Sequence, residues 1–540
     1  MAKQQQTTGT QLTSQPERIP ILGTLMYRSA SRDKDQRLIN CFQESIKNDV
    51  TDSKKSYTVK RPGLLQSTQV KVGGGTARGL IYWNSKFYSV IDNTLYEGST
   101  SKQVLNTSTG EVGFVEFDNA GVSYLFLCDG TDGWVINSIG TVTQVNQTLS
   151  AWVTVTNYSI GNKVIPTTEN GYYYEVTTDG GSSGASEPTW PTTIGNTVVD
   201  SGITWTCMGE YGGFPTPHIP TPKFIDGYML LPLEDSLDIY NSDVDNIYGW
   251  GSSNFVSAEM WPDPVVGLAR QNNQILAFGT YSSEFFYDAA NASGSPLARN
   301  EGTVMQMGCA APYAVYENEK FCIFVGQSDS GGRAVWMVEG FSPKKISTES
   351  IDRVLDAEGS SISGAAGFGF RSKGHLFYLI NLASCTLVYD VEEKVWHEWS
   401  TNNSGSHVAF KYNYQTDPLN GTSVLLHNTD GYLYILSPSY YDDAGTSILA
   451  DAYTNKYDGS TMNRKFMHNL NVVGDLGASF TIRWSDDDYV NWNTYLTLST
   501  TRPFVTRCGS FRRRAFNIRH TANEDFRLEA IEFEVDVGTH

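Results

Sequence analysis

The stretch AGFGFRSKGHLFYLINLASCTLVYDVEEKVWHEWS, residues 366–400, opens with a strand-like run and closes on a turn. Phrases of the same make stand on both sides of it. VAFKYNYQTDPLNGTSVLLHNTDGYLYILSP follows from Val408. Upstream lie PYAVYENEKFCIFVGQSDSGGRAVWMVEG from Pro312, VVGLARQNNQILAFGTYSSEFFYD from Val265 and PKFIDGYMLLPLEDSLDIYN from Pro222. GVSYLFLCDGTDGWVINSIGTVTQV from Gly121 and GLIYWNSKFYSVIDNTLYEG from Gly79 complete a series of about seven between Thr76 and Pro438. A spacing near 40–50 residues is that of propeller blades. Such a unit cannot bury its apolar face alone, and closure into a ring removes exposed strand edges. The expected fold class is therefore all-β: an approximately seven-bladed β-propeller with a small inserted β module, followed by a C-terminal antiparallel β-sandwich platform.

Composition agrees with strands. The chain holds 30 Tyr, 25 Phe and 12 Trp, which favour pleated structure, and 50 Gly, which suit tight turns. At 540 residues it is too long for one core. Helical periodicity is confined to Asp35–Ile46 and Ser350–Glu358, both expected as short helices. The net charge of −19 argues against a broad basic face that grips nucleic acid. The seven cysteines are scattered without a Cys-x-x-Cys pair, mostly in apolar strand contexts, and read as reduced core residues. The polar start MAKQQQTTGTQLTSQ has no apolar secretion core, and no apolar run reaches the length of a membrane span.

The blade series is interrupted after its second member. Residues 150–211 carry their own aromatic set, Trp152, Tyr158, Tyr172, Tyr173, Tyr174, Trp190 and Trp205, and read as a separate β module. The expected organisation is an N-terminal arm contributing to the platform (1–75), first blades (76–149), insert (150–211), remaining blades (212–440) and platform (441–540). Alternating strands such as FTIRWS from Phe480 and LEAIEFEVDV from Leu528 mark the platform as having one wet and one buried face.

No constellation points to catalysis, a metal or a cofactor. VGGGTARG from Val72 lacks the Gly-Lys-Ser/Thr of a phosphate loop. The eight histidines are dispersed and read as structural. WSDDDYVNW, residues 484–492, is similar to the Asp-box turn of sialidase propellers, with Tyr489 near the place of the box glycine. Its acidic triplet Asp486–Asp488 reads as a hairpin loop, with cation binding a minor option. No pair of carboxylates is singled out for glycoside hydrolysis. The one basic concentration is Arg502, Arg507, Arg512, Arg513, Arg514 and Arg519. It reads either as a solvated strand face or as a contact with another subunit or an acidic partner, with DNA a third option.

Four segments carry a resemblance to a known family. They are DQRLINCFQE from Asp35 with KRPGL from Lys60; NNQILAFGTYSSEFFYDAANASGSPLARNEGTVMQMGCAA from Asn272; PKKISTESIDRVL from Pro343 with LVYDVEEKVWHEW from Leu387; and RWSDDDYVNW from Arg483 before RCGSFRRRAFNIRH from Arg507. In this order they resemble the tail nozzle, or packaged-DNA stabilisation, proteins of short-tailed bacteriophages. The resemblance implies a non-enzymatic virion component, made in the host cytoplasm and located in the tail. It implies a homo-hexamer below the portal and its adaptor protein, anchoring a tail fibre or spike, with a tail needle or plug as a possible partner. DNA would pass through the lumen, and an acidic wall would let it slide. The arginine set is then the candidate subunit or adaptor interface.

GSSGASEPTWPTTIGNTVVDSGITWTC, residues 181–207, is similar to small chitin-binding-like modules of phage tail proteins, with Ser182 replacing the usual Thr. That makes Trp152, Tyr158, Tyr173, Trp190 and Trp205 candidates for glycan or fibre contact. The same rings equally suit the module's own core. Two rival functions stand beside the nozzle reading: a carbohydrate-binding phage adhesin and a propeller glycosidase.

Overall fold

Consecutive four-stranded meanders dominate the computed structural model, which describes residues 15–21, 25–26, 35–45, 56–119, 121–291, 294–418, 421–499 and 503–538. The chain is nearly all β. Its α-helix among the described residues, Glu349–Ala357, falls where the sequence pattern put one. Two compact units are formed: Met1–Ser67, Ile346–His427 and Leu433–His540 make the first, Thr68–Lys345 and Asn428–Tyr432 the second.

In the second unit, five antiparallel sheets follow one another among the described residues, beginning at Ala77, Gly113, Lys223, Val265 and Gly308. Each shares a core with the next. Tyr88 and Val90 of the first sheet meet Leu125 and Leu127 of the second. Phe126 and Val135 of the second meet Met229 and Leu231 of the third. Leu230 and Ile239 of the third meet Ile275 and Phe286 of the fourth. Leu276 and Phe278 of the fourth meet Cys322 and Phe324 of the fifth. Successive side chains on a strand point to opposite faces, so an inner strand between two neighbours is apolar on both. This explains runs such as YLFLC and YMLL.

Residues 150–211 form their own four-stranded sheet, ordered Lys163–Val164, Tyr172–Thr178, Ile203–Glu210, Thr197–Asp200. The second and third sheets still pack directly on each other, so the insertion does not interrupt the stack.

In the first unit, a nine-stranded sheet runs Ala366–Ser372, His375–Asn381, Thr386–Asp390, Val395–Trp399, Arg37–Ile39, Ala450–Tyr453, Ala515–His520, Phe480–Ser485, Leu496–Thr497. A seven-stranded sheet includes Cys41–Ser45, Ser56–Lys60, Arg527–Val537 and Lys465–Asp475. Leu38, Ala452, Ile482 and Ile518 of the first sheet share a core with Leu470, Ile531 and Phe533 of the second.

The helix expected over Asp35–Ile46 is not formed as far as Ser45; Ile46 lies outside the described residues. Arg37–Ile39 and Cys41–Ser45 are strands, joined at Asn40 with φ 57°. Arg37–Ile39 pairs antiparallel with Ala450–Tyr453 and meets Glu398 through Ile39. Two waiting strand edges outweigh a weak local helical preference.

The two short motifs near the N-terminus converge on one buried ion pair. All five donors of Arg61 are used. Nη1 and Nη2 form a fork with Asp443 at 3.0 and 2.6 Å, Nε donates to Asn40 Oδ1 at 2.8 Å, and the carbonyls of Pro62 and Ser400 accept the rest. The guanidinium lies against the Trp399 and Phe410 rings. Asn40 in turn donates to Ser400 Oγ and to the Leu449 carbonyl. Gly63 is required beside this cluster, because a Cβ there would run into the Asp442 backbone oxygen.

Arg61→Ala strands the Asp443 carboxylate without its partner. We expect a loss of about 3–5 kcal/mol from the first unit in denaturant titration. The double change Arg61→Met, Asp443→Leu should recover most of it.

Candidate functional site in the arginine-rich sheet and the inserted module

The candidate interface arginines separate into two groups. Arg514 and Arg519 are each clamped onto a carboxylate. Arg514 is buried, pairs with Asp486 through Nε and Nη2 at 2.7 and 2.8 Å, and donates to the Cys508 carbonyl at 2.6 Å. Its guanidinium rests on the Trp484 and Phe511 rings, at 4.9 and 4.3 Å. Arg519 forks onto the fully buried Asp451, Nε to Oδ1 at 3.0 Å and Nη2 to Oδ2 at 2.8 Å.

Arg507, Arg512 and Arg513 are exposed. Arg512 donates to the Met462 carbonyl at 2.5 Å, and Arg507 lies at φ 61° in the turn before Cys508. Arg502 lies outside the described residues. One stretch thus supplies both internal clamps and surface cations, a division its composition does not reveal.

Asp451 also accepts from His407 Nε2 at 2.6 Å, and His407 Nδ1 meets Ser400 Oγ at 2.7 Å. Burial alone would raise the Asp451 pKa. The hydrogen bonds and charges of His407 and Arg519 outweigh it and hold the carboxyl well below the usual carboxylate range.

The acidic triplet is engaged within the protein. Asp486 holds Arg514, Asp488 holds Lys456, and Asp487 accepts from Ser485 Oγ at 2.9 Å and from the Asn491 backbone N–H at 2.8 Å. Tyr489 has φ 67°, the left-handed conformation that the Asp-box glycine would adopt without strain. Its buried ring is held by a 2.7 Å hydrogen bond from its hydroxyl to the Thr454 carbonyl.

His218 and His397 are buried structural residues. His218 Nδ1 lies 2.9 Å from the Pro215 carbonyl, and burial lowers its pKa to about 4. Burial does the same to His397. All seven cysteines are buried and free.

In the insert, four of the five candidate rings, Trp152, Tyr158, Trp190 and Trp205, come together in one core, and Tyr173 is not part of it. Trp152 and Trp205 are buried, and both indole N–H groups donate to Asp200 Oδ2, at 2.8 and 3.1 Å. The other Asp200 oxygen accepts from the Gly184 N–H at 2.7 Å. Tyr158 meets Trp205 edge-on at 5.0 Å, and Trp190 lies 4.2 Å from Tyr174. Glu187 accepts the Trp190 indole N–H at 2.9 Å. The SEPTW and DSGITW phrases therefore place carboxylates under tryptophan N–H groups. Tyr173 is also buried, with Lys163 Nζ 5.6 Å from its ring centre. Trp190 and Tyr158 keep partial exposure.

Nothing local in DQRLINCFQE and KRPGL marks the roles of Asn40 and Arg61. Asp451 and His407 likewise carry no local motif.

Two outcomes follow from this geometry. Asp451→Asn should flatten the acid limb of the stability curve. A depressed native pKa contributes stability that is full above the unfolded carboxyl value, about 4, and is lost as pH falls below it. Acid titration of both proteins, followed by near-ultraviolet circular dichroism, measures this. Asp200→Ala should leave two buried indole N–H groups unpaired, at about 1–3 kcal/mol each. Limited proteolysis should then cut within residues 150–211 while the rest of the chain resists.

No curated protein matches the chain. Two crystal structures of BBS1N in complex with ARL6DN, one soaked with mercury and one with lead, are each 10% identical and cover 70% of this chain and 98% of theirs. Both give a TM-score of 0.32, a likeness too low to carry an argument. Over residues 218–439 the chain matches the family model described as Bacteriophage P22 Gp10, β-propeller, so this stretch is a β-propeller, and the protein is a bacteriophage structural protein similar to the tail and DNA-stabilisation proteins of short-tailed phages.

Proposed function

We propose that this protein is a tail nozzle subunit: six copies form a tube below the portal and its adaptor, hold packaged DNA in place and conduct it during ejection. The family match over residues 218–439 is the observation that carries the reading. The charge balance supports it. A net charge of −19 gives a wall that repels phosphate weakly, and each avoided phosphate contact removes affinity and drag. The blades supply the wall, while the N-terminal strands and the C-terminal sheets supply the platform. Residues 150–211 project toward a fibre or spike.

Ring formation by identical subunits needs a heterologous contact, two different patches that fit each other. Exposed Arg507, Arg512 and Arg513, on a chain with 58 acidic against 39 basic residues, provide one charged patch, and the acidic remainder provides the other.

The test is the pair Arg512→Glu, Arg513→Glu. Neither side chain belongs to a buried clamp, so the melting temperature should stay within about 2 °C of the parent. Negative-stain microscopy with the adaptor protein should show rings for the parent and dispersed subunits for the variant. Rings of normal appearance from the variant would remove these arginines from the interface.

A further inference from the structure

In the nine-stranded sheet of the first unit, the strands Arg37–Ile39, Ala450–Tyr453, Ala515–His520 and Phe480–Ser485 turn one face to the core and the other away from it. Cross-strand register sets Arg37, Tyr453, Asn517 and Arg483 in one row across four neighbouring strands. Two positions along, Ile39, Asp451, Arg519 and Thr481 form the next row. The residues between them, Leu38, Ala452, Ile518 and Ile482, belong to the core. An open pocket of about 910 Å³ lies against the polar rows, within the size range of ligand sites.

Arg483 is the informative residue in this pocket. Its Nε donates to Asn517 Oδ1 at 2.9 Å and its Nη2 faces the Tyr453 hydroxyl at 3.4 Å. The guanidinium sits 4.3 Å from the centre of the Tyr495 ring and 4.8 Å from that of Trp492. No described carboxylate pairs with it, whereas its neighbour Arg519 is neutralised by Asp451. A half-buried cation without an anion is costly, and this one is held rigid by two ring faces in a chain rich in acids. The arrangement is that of a preorganised fork awaiting a carboxylate or phosphate.

The rest of the lining decides between those two. It carries Glu358, Glu398, Ser361, Ser384 and Ser406. Carboxylates there repel a run of phosphates but accept peptide N–H groups. We propose that this pocket receives an acidic peptide segment of a partner protein, one carboxylate seated on Arg483 and the backbone donating to the acceptors of the remaining lining. The site deepens the assembly role proposed above. Peptide titration requires no virion, so a negative result here leaves that role standing, and failed ring assembly leaves pocket affinity measurable.

Calorimetric titration of the full chain with the blocked peptide Gly-Ser-Asp-Gly-Ser should show binding. Its Asn counterpart should bind at least about tenfold more weakly, and so should the Asp peptide with Arg483→Gln. Ser406→Trp, which fills the pocket while leaving Arg483 and its rings in place, should give the same loss, and it decides the matter if Arg483→Gln fails to fold. No measurable binding, binding indifferent to both variants, or tighter binding of a ten-nucleotide oligo-dT would each overturn the proposal.

Discussion

The first unit depends on burying a full positive charge at the place where its sequence-distant pieces meet. Arg61 has no exposed surface, and its five donors reach Asn40, Pro62, Ser400 and Asp443. These residues come from the N-terminal strands, the end of the Val395–Trp399 strand and the segment before Ala450. A buried ion pair adds little net stability over an apolar substitute, but it punishes any arrangement that leaves one partner alone. Its value here is selection: strands brought together in any other register would leave Arg61 or Asp443 unpaired. Backbone hydrogen bonds by themselves tolerate register slips; a five-donor guanidinium does not.

The second unit solves a different problem by different means. Its sheets carry apolar side chains on both faces of their inner strands, so each sheet is stable only between neighbours. Leu230 and Leu231 are adjacent in sequence yet serve two cores, one with the fourth sheet and one with the second. Long insertions are tolerated in such a stack when they leave from a loop. Residues 150–211 do so and fold around Asp200 and their own rings. The entropic cost of a longer connection grows only slowly with its length.

What was legible in the sequence follows from the range of each interaction. Meanders are local, so the phrases from Gly79 to Val408 announce strands and turns directly. The helix at Glu349–Ala357 is local too, and its apolar Ile351, Val354 and Leu355 mark its buried face. Residues 37–39 do not follow their local pattern because their fate depends on strands some 360 to 410 residues away in the chain, including the partners Glu398 and Ala452, while Cys41–Ser45 is drawn into a hairpin with Ser56–Lys60. The arginine stretch was half legible for the same reason. Its charge is visible, but which members are clamped within the protein depends on Asp451 and Asp486, which lie 68 and 28 residues from Arg519 and Arg514. The aromatic set of the insert was legible as a set, whereas the carboxylates beneath it became visible only with the fold.

An acidic protein sorts its cations with care. Arg61, Arg514 and Arg519 each have a carboxylate and an aromatic face, which makes them part of the framework. Arg483 has the aromatic faces but, among the described residues, no carboxylate. Arg507 and Arg513 stand exposed. With 58 acidic residues available, an arginine fixed in position yet without an acid is a costly arrangement to keep. The acidic partner proposed for this pocket would remove that cost only in the complex, so the same feature that weakens the free chain would strengthen the bound one. For a component whose working state is an assembly, the stability of the free chain is the lesser constraint.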